Sequence, residues 1–217
     1  MNKFNINIKT AASIICLVGY GSSSYSESID AHDWNGFYAG VQAPLMYADD
    51  VDLSTETGSM TDVMRGLYVG VNKIHDNILV GIEFGYSVGD ILVTEGDLGY
   101  RPVSEENWAV IETMTSLRAR VGIDLGNSIL YVSGGLVEMR GETGSSTGDS
   151  YFGPARSPIS TIKGIGYETV ISKDLTMRFE YANIRPLRFA PPETTAFGSA
   201  SFDNGIHIFN LGITKYF

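Results

Sequence analysis

The chain has 217 residues and a formal net charge of −10, with 15 Lys and Arg against 25 Asp and Glu. That balance excludes a phosphate-tracking surface, which needs clustered cations, so no nucleic acid is expected as a partner. Glycine is abundant at 25, tyrosine and phenylalanine number 12 and 10, and no apolar run beyond the N-terminus is long enough for a transmembrane helix.

The first segment, MNKFNINIKTAASIICLVGYGSSSYS, sets Lys3 and Lys9 ahead of an apolar run at 11–20, then turns small and polar. This is the order of a secretory signal peptide, expected over 1–26 with cleavage near Ser24 or Ser26. A first core strand or helix is the alternative. Cys16, the only cysteine, lies in that run, and Ile15 before it is too bulky for a lipoprotein signal. The exported remainder, 27–217, is then one domain with no disulfide, which suits a Gram-negative envelope.

Period-2 alternation predicts eight strands, at 35–47, 63–74, 78–92, 109–125, 129–141, 159–172, 174–186 and 205–217. At about 12–17 residues each they exceed the usual strand and suit a tilted crossing of a bilayer. Their connections alternate in length. HDN, GNS and SKD are tight, whereas ADDVDLSTETGSMTD and GETGSSTGDSYFGPARSP are long. In a meander, this puts every tight turn on one rim and every long loop on the other, as in outer-membrane barrels. Lipid tolerates no open sheet edge, so the eighth strand should pair with the first. The expected fold is all-β: an eight-stranded antiparallel up-and-down transmembrane β-barrel. Phe217 would be the last rung of its closing strand, with its ring in the periplasmic aromatic girdle.

The two faces differ in kind. Val80, Ile82, Phe84 and Tyr86 oppose Gly81, Glu83, Gly85 and Ser87; Leu117, Ala119, Val121 and Ile123 oppose Arg118, Arg120, Gly122 and Asp124. Leu175, Met177, Phe179 and Tyr181 oppose Thr176, Arg178, Glu180 and Ala182, and Phe209, Leu211 and Ile213 oppose Asn210, Gly212 and Thr214. A soluble barrel would point the charges outward. A membrane barrel inverts this, with lipid on the large apolar face and glycines and charges filling a narrow interior. The membrane orientation is preferred. It puts Glu83, Arg118, Arg120, Glu168, Arg178 and Glu180 inside, where each needs a partner. A plug of salt bridges is expected, with a gated polar conduit as the alternative. Lys163, Lys215 and His207 fall on the lipid side, which is tolerable near the interfaces. The strand at 129–141 is ambiguous, because both of its faces could meet lipid.

Catalytic motifs are sparse. His32, His75 and His207 lie apart, and only His207, with a loop serine such as Ser199 or Ser201, could serve a lipid hydrolase. GETGSSTGDS lacks the lysine of a phosphate loop, and DDVDLSTET lacks the ligand spacing of a calcium loop. No catalytic residue, metal or cofactor is expected. Tyr100, Trp108, Tyr151 and Phe152 are loop or rim aromatics able to touch a partner or to form the outer girdle.

From Asp33 to Phe217 the chain resembles the small outer-membrane β-barrel family of OmpA-like type found among alphaproteobacterial surface proteins. The resemblance is carried by DWNGFYAGVQA, LVGIEFGYS, SLRARVGIDLGNSILYVSGGL, GIGYETVISKDLTMRFEYANI and FNLGITKYF. Lys215 departs from it, standing where an aromatic is usual. The resemblance implies outer-membrane location and lipids and the barrel-assembly machinery as partners. It also implies interface and assembly aromatics at Trp34, Phe37, Tyr38, Phe209 and Phe217. It implies no single activity. The expected role is structural or surface-interacting and non-enzymatic, with an extracellular protein or small ligand meeting the loops. A small-ligand binder, for instance of haem, or a minor transporter is the alternative, and a lipid hydrolase a more distant one.

Overall fold

Alternating strands with one apolar and one polar face can satisfy every backbone group by closing into a cylinder. The computed structural model describes residues 32–52, 57–93, 107–145, 151–157, 159–185, 187–189, 200–202 and 205–217. The expected signal segment, with Cys16, lies outside them, as do Tyr100 and Ser199.

Eight strands form the ring: β1 Gly36–Asp52, β3 Arg65–His75, β4 Ile78–Val93, β5 Asn107–Asp124, β6 Ser128–Ser145, β8 Ser160–Ser172, β9 Leu175–Ile184 and β12 Ile206–Tyr216. Each runs antiparallel to the next. The seam from β12 to β1, in register from Tyr38↔Tyr216 to Tyr47↔His207, closes the ring. At its end the Phe217 amide donates to the Phe37 carbonyl at 3.0 Å.

Four shorter strands, β2 Thr57–Val63, β7 Tyr151–Arg156, β10 Leu187–Phe189 and β11 Ala200–Phe202, carry the ladders beyond the ring on the long-loop side. This corrects the reading of GETGSSTGDSYFGPARSP as simply a long connection between strands. β6 runs through Ser145 and β7 pairs back onto it, Ser145 opposite Tyr151. Polar Ser, Thr and Gly give no apolar alternation to read, yet their backbone groups still need partners, and a continued hairpin supplies them.

The tight rim follows from turn chemistry. Asp76 and Asn77 hold φ of 48° and 66°, the left-handed pair of a two-residue hairpin that Asp and Asn tolerate. Inside the wall, Tyr38, Tyr68 and Tyr131 lie against the glycines directly opposite them, Gly70, Gly40 and Gly166. A Cβ on any of these glycines would strike the tyrosine ring. Gly166→Val should therefore lower stability by about 1–3 kcal/mol through overpacking. At Gly134 the nearest atom to an added Cβ is a carbonyl oxygen 4.0 Å away, so Gly134→Ala should stay within about 0.5 kcal/mol. Urea unfolding of the micelle-bound barrel would read both.

Candidate functional site: a filled lumen and a wall of two zones

The interior is stacked in four levels. At the tight-turn mouth, residues 32–35 cross the opening. Trp34 is buried, its Nε1 donating to the Gly126 carbonyl at 3.0 Å, and its ring sits edge-on to His32 and Tyr216 at 4.5 and 5.5 Å. Asn35 braces this strap, donating to Asp33 at 2.8 Å and accepting from the Ile74 amide at 2.8 Å. The side-chain and backbone hydrogen bonds from Asn35 hold the Asp33 carboxyl below the usual carboxylate range.

Above the strap lies the charge layer. β4 supplies Glu83, β5 Arg118 and Arg120, β8 Glu168, and β9 Arg178 and Glu180; all are buried. Glu83 accepts from Arg118 at 2.5 Å, Arg178 at 2.6 Å and Arg120 at 3.5 Å. Glu168 accepts from Arg120 at 2.9 Å and Arg178 at 3.3 Å. Arg118 also pairs with Glu180. Tyrosines complete the shell: the Tyr38 hydroxyl donates to Glu83 at 3.0 Å and Tyr131 to Glu180 at 2.8 Å. The Arg120 guanidinium sits 4.0 Å from the Tyr131 ring centre and Arg178 4.2 Å from that of Tyr68. Three cations meet three anions, so the layer is neutral. Each charge is held by two or more partners, which is what makes burial of ions tolerable.

A thin amide layer follows, in which Asn210 donates to Gln42 at 2.8 Å and Gln42 to Ser87 at 3.1 Å. The fourth level, toward the long loops, departs from the sequence expectation of a glycine-rich, charged interior. It is an apolar core that includes Met46, Met64, Met114, Met139, Ile111 and Ile184.

The outer surface changes character at the same height. On β4, Ile78, Val80, Ile82, Phe84, Tyr86 and Val88 are exposed, and then Asp90 follows. On β6, Leu130, Val132 and Leu136 give way to Glu138, Arg140 and Glu142 on the same face. The apolar stretch of β4, ten steps at about 3.3 Å and the usual barrel tilt, gives a band about 25 Å high. Below the boundary the wall is apolar outside and polar inside. Above it the wall is polar outside and apolar inside, as in a water-borne β-structure. That reversal explains the ambiguity of the fifth predicted strand: Tyr131 and Ser133 face the polar lumen, while Val137 and Met139 face the apolar core.

Two expected interface aromatics are corrected. Trp34 and Tyr38 are 1% and 2% exposed, against 71% for Phe37 and 75% for Phe217. Alternation counted from Phe37 turns Tyr38 inward, and the strap turns Trp34 into the mouth. Phe37, Phe209 and Phe217 lie on the outer face. His207 is also on that face, its Nδ1 2.7 Å from the Tyr181 hydroxyl. Among the mooted loop or rim aromatics, Trp108 stands in β5 and Tyr151 and Phe152 in β7.

No family model and no curated protein matches the chain. Solved structures do. Ail, the attachment invasion locus protein of Yersinia pestis, is similar at 12% identity and a TM-score of 0.50, over 84% of this chain and 99% of that one. The N-terminal β-barrel domain of Pseudomonas aeruginosa OprF is similar at 14% identity and 0.45, over 83% and 97%. The outer membrane protein OprG from Pseudomonas aeruginosa follows at 9% and 0.42, over 88% and 100%. At such identities the likeness is one of fold. The chain is a closed eight-stranded antiparallel β-barrel of the small outer-membrane type.

Proposed function

We propose that this protein spans the outer membrane as a non-conducting, non-enzymatic barrel whose extended hairpins form a surface platform for contact outside the cell. The observation that carries this is the reversal of wall polarity. An apolar exterior about 25 Å high matches a bilayer's hydrocarbon, and the part beyond it is built to stand in water. Burial of the apolar core at Met46, Met114 and Met139 holds the hairpins on a packed base. Binding functions commonly sit on loops held by such a scaffold. The filled lumen favours a plug over a conduit. Export through an N-terminal signal, and recognition of the β12 aromatics by the barrel-assembly machinery, belong to the same proposal, as does an extracellular protein as the loops' partner.

Two experiments test it. The protein extracted from outer-membrane fractions should migrate faster unboiled than boiled on a denaturing gel, because a lipid-adapted barrel resists cold detergent. Recovery from the periplasm with no such shift would refute the placement. In planar bilayers the wild type should give no discrete conductance steps, whereas regular ohmic steps would show that the charge layer is a conduit.

A further inference from the structure

The loop-side edge of the apolar band carries a row of polar side chains that the sealed lumen does not use. Lys163 on β8, Asn183 on β9, His207 on β12 and Tyr47 on β1 are directly opposed from strand to strand. Neighbouring strands lie about 4.8 Å apart, so Lys163 and His207 are about 10 Å from each other along the wall. Arg185 follows Asn183 by two positions and is exposed, its amide held by the Thr161 carbonyl at 3.1 Å. One step toward the turns come Tyr181, Ile165 and Phe209, all exposed. The chain is acidic throughout, at −10, yet this row contains no carboxylate. Among the described residues Lys163 and Arg185 have no ion-pair partner. Of the other outer-wall cations, Arg140 pairs with Glu138 at 3.2 Å and Lys215 with Asp174 at 3.9 Å, whereas Arg65 and Lys73 on β3 are exposed and, among the described residues, also without an ion pair.

Two observations fix the depth of the row. Rings with one polar end settle at the boundary between hydrocarbon and headgroups. Here Tyr181 and His207 stack at 6.0 Å and share a hydrogen bond of 2.7 Å. With the Tyr181 hydroxyl donating to Nδ1, the Nε2–H of His207 is left as an outward donor. Lys163 and Arg185 can run their stems along the apolar surface and set their charges in the headgroup layer. The anion of that layer is phosphate. We infer that Lys163, Arg185 and His207 form a binding site for the phosphate of an anionic lipid in the loop-side leaflet. This rests on the reading of the wall as lipid-embedded.

The test uses the full barrel folded into vesicles of mixed phosphatidylglycerol and phosphatidylcholine, with retained lipid identified by native mass spectrometry. At about 1 kcal/mol per Lys or Arg near the surface, Lys163→Gln and Arg185→Gln should each lower enrichment of phosphatidylglycerol about fivefold, and His207→Gln, which removes one neutral donor, should lower it less. The triple variant should abolish it, and Lys215→Gln at the opposite rim should leave it unchanged. Gel migration of the unboiled protein reports insertion separately. A wild type that inserts but retains both lipids alike, or a triple variant that inserts and keeps the enrichment, overturns the site. A wild type that never inserts overturns the membrane reading, and the site with it.

Discussion

Glu83→Ala should lower the stability of the folded barrel by about 3–5 kcal/mol, the cost of stripping one partner from a buried ionic cluster. Glu83 is the hub of the charge layer, reached by three arginines and by the Tyr38 hydroxyl. Its loss leaves Arg118, Arg120 and Arg178 facing only Glu168 and Glu180. No nearby side chain replaces it, since the adjacent inward positions on β4 are Gly81 and Gly85. Glu83→Gln keeps the shape and removes only the charge, so it should fall between the alanine variant and wild type. Urea unfolding in micelles, followed by far-UV circular dichroism and by the boiling shift, measures both. Wild-type stability for the alanine variant would mean that the charges are not held as a neutral cluster.

Ile82→Arg should cost about 2–4 kcal/mol in a bilayer, because Ile82 lies near mid-height of the apolar band and points outward. Val88→Arg, at the band's loop-side edge, should cost about 0–1 kcal/mol, where a long stem reaches the headgroups. The contrast between the two positions carries the information. A barrel standing in water would accept either substitution on an exposed site within about 0.5 kcal/mol. Unfolding in lipid vesicles gives the difference directly.

Much of the barrel was legible in the sequence because β4, β5, β9 and β12 change residue type at every step. Phe84 beside Glu83, or Leu117 beside Arg118, leaves one choice of face once lipid is taken as the exterior. Chain parity cannot give partners. Arg118 meets Glu83 and Glu180 across 35 and 62 residues, and those meetings depend on the register of several strands together. The apolar core above the amide layer was missed because the expectation treated each wall as one environment from end to end. The signal was present on β6, where Glu138, Arg140 and Glu142 share the face begun by Leu130 and Val132. A polar run continuing a lipid-facing one means that the strand has left the bilayer. Trp34 was misassigned because a motif lumps its aromatics together, although alternation separates Tyr38 from Phe37. The hairpin extensions β2, β7, β10 and β11 had no apolar pattern to read; backbone pairing alone makes them strands.

The two-zone wall is tested most directly by spin labels on single cysteines in vesicles, with Cys16 replaced if it is retained. Labels at positions 82, 84, 117 and 179 should relax with oxygen dissolved in lipid and be shielded from a water-soluble nickel chelate. Labels at 90, 112 and 142 should do the reverse, with the crossover on β4 falling between 86 and 90. Ready access of the nickel chelate to 82, 84, 117 and 179 would contradict the account, since the apolar exterior would then not be facing acyl chains.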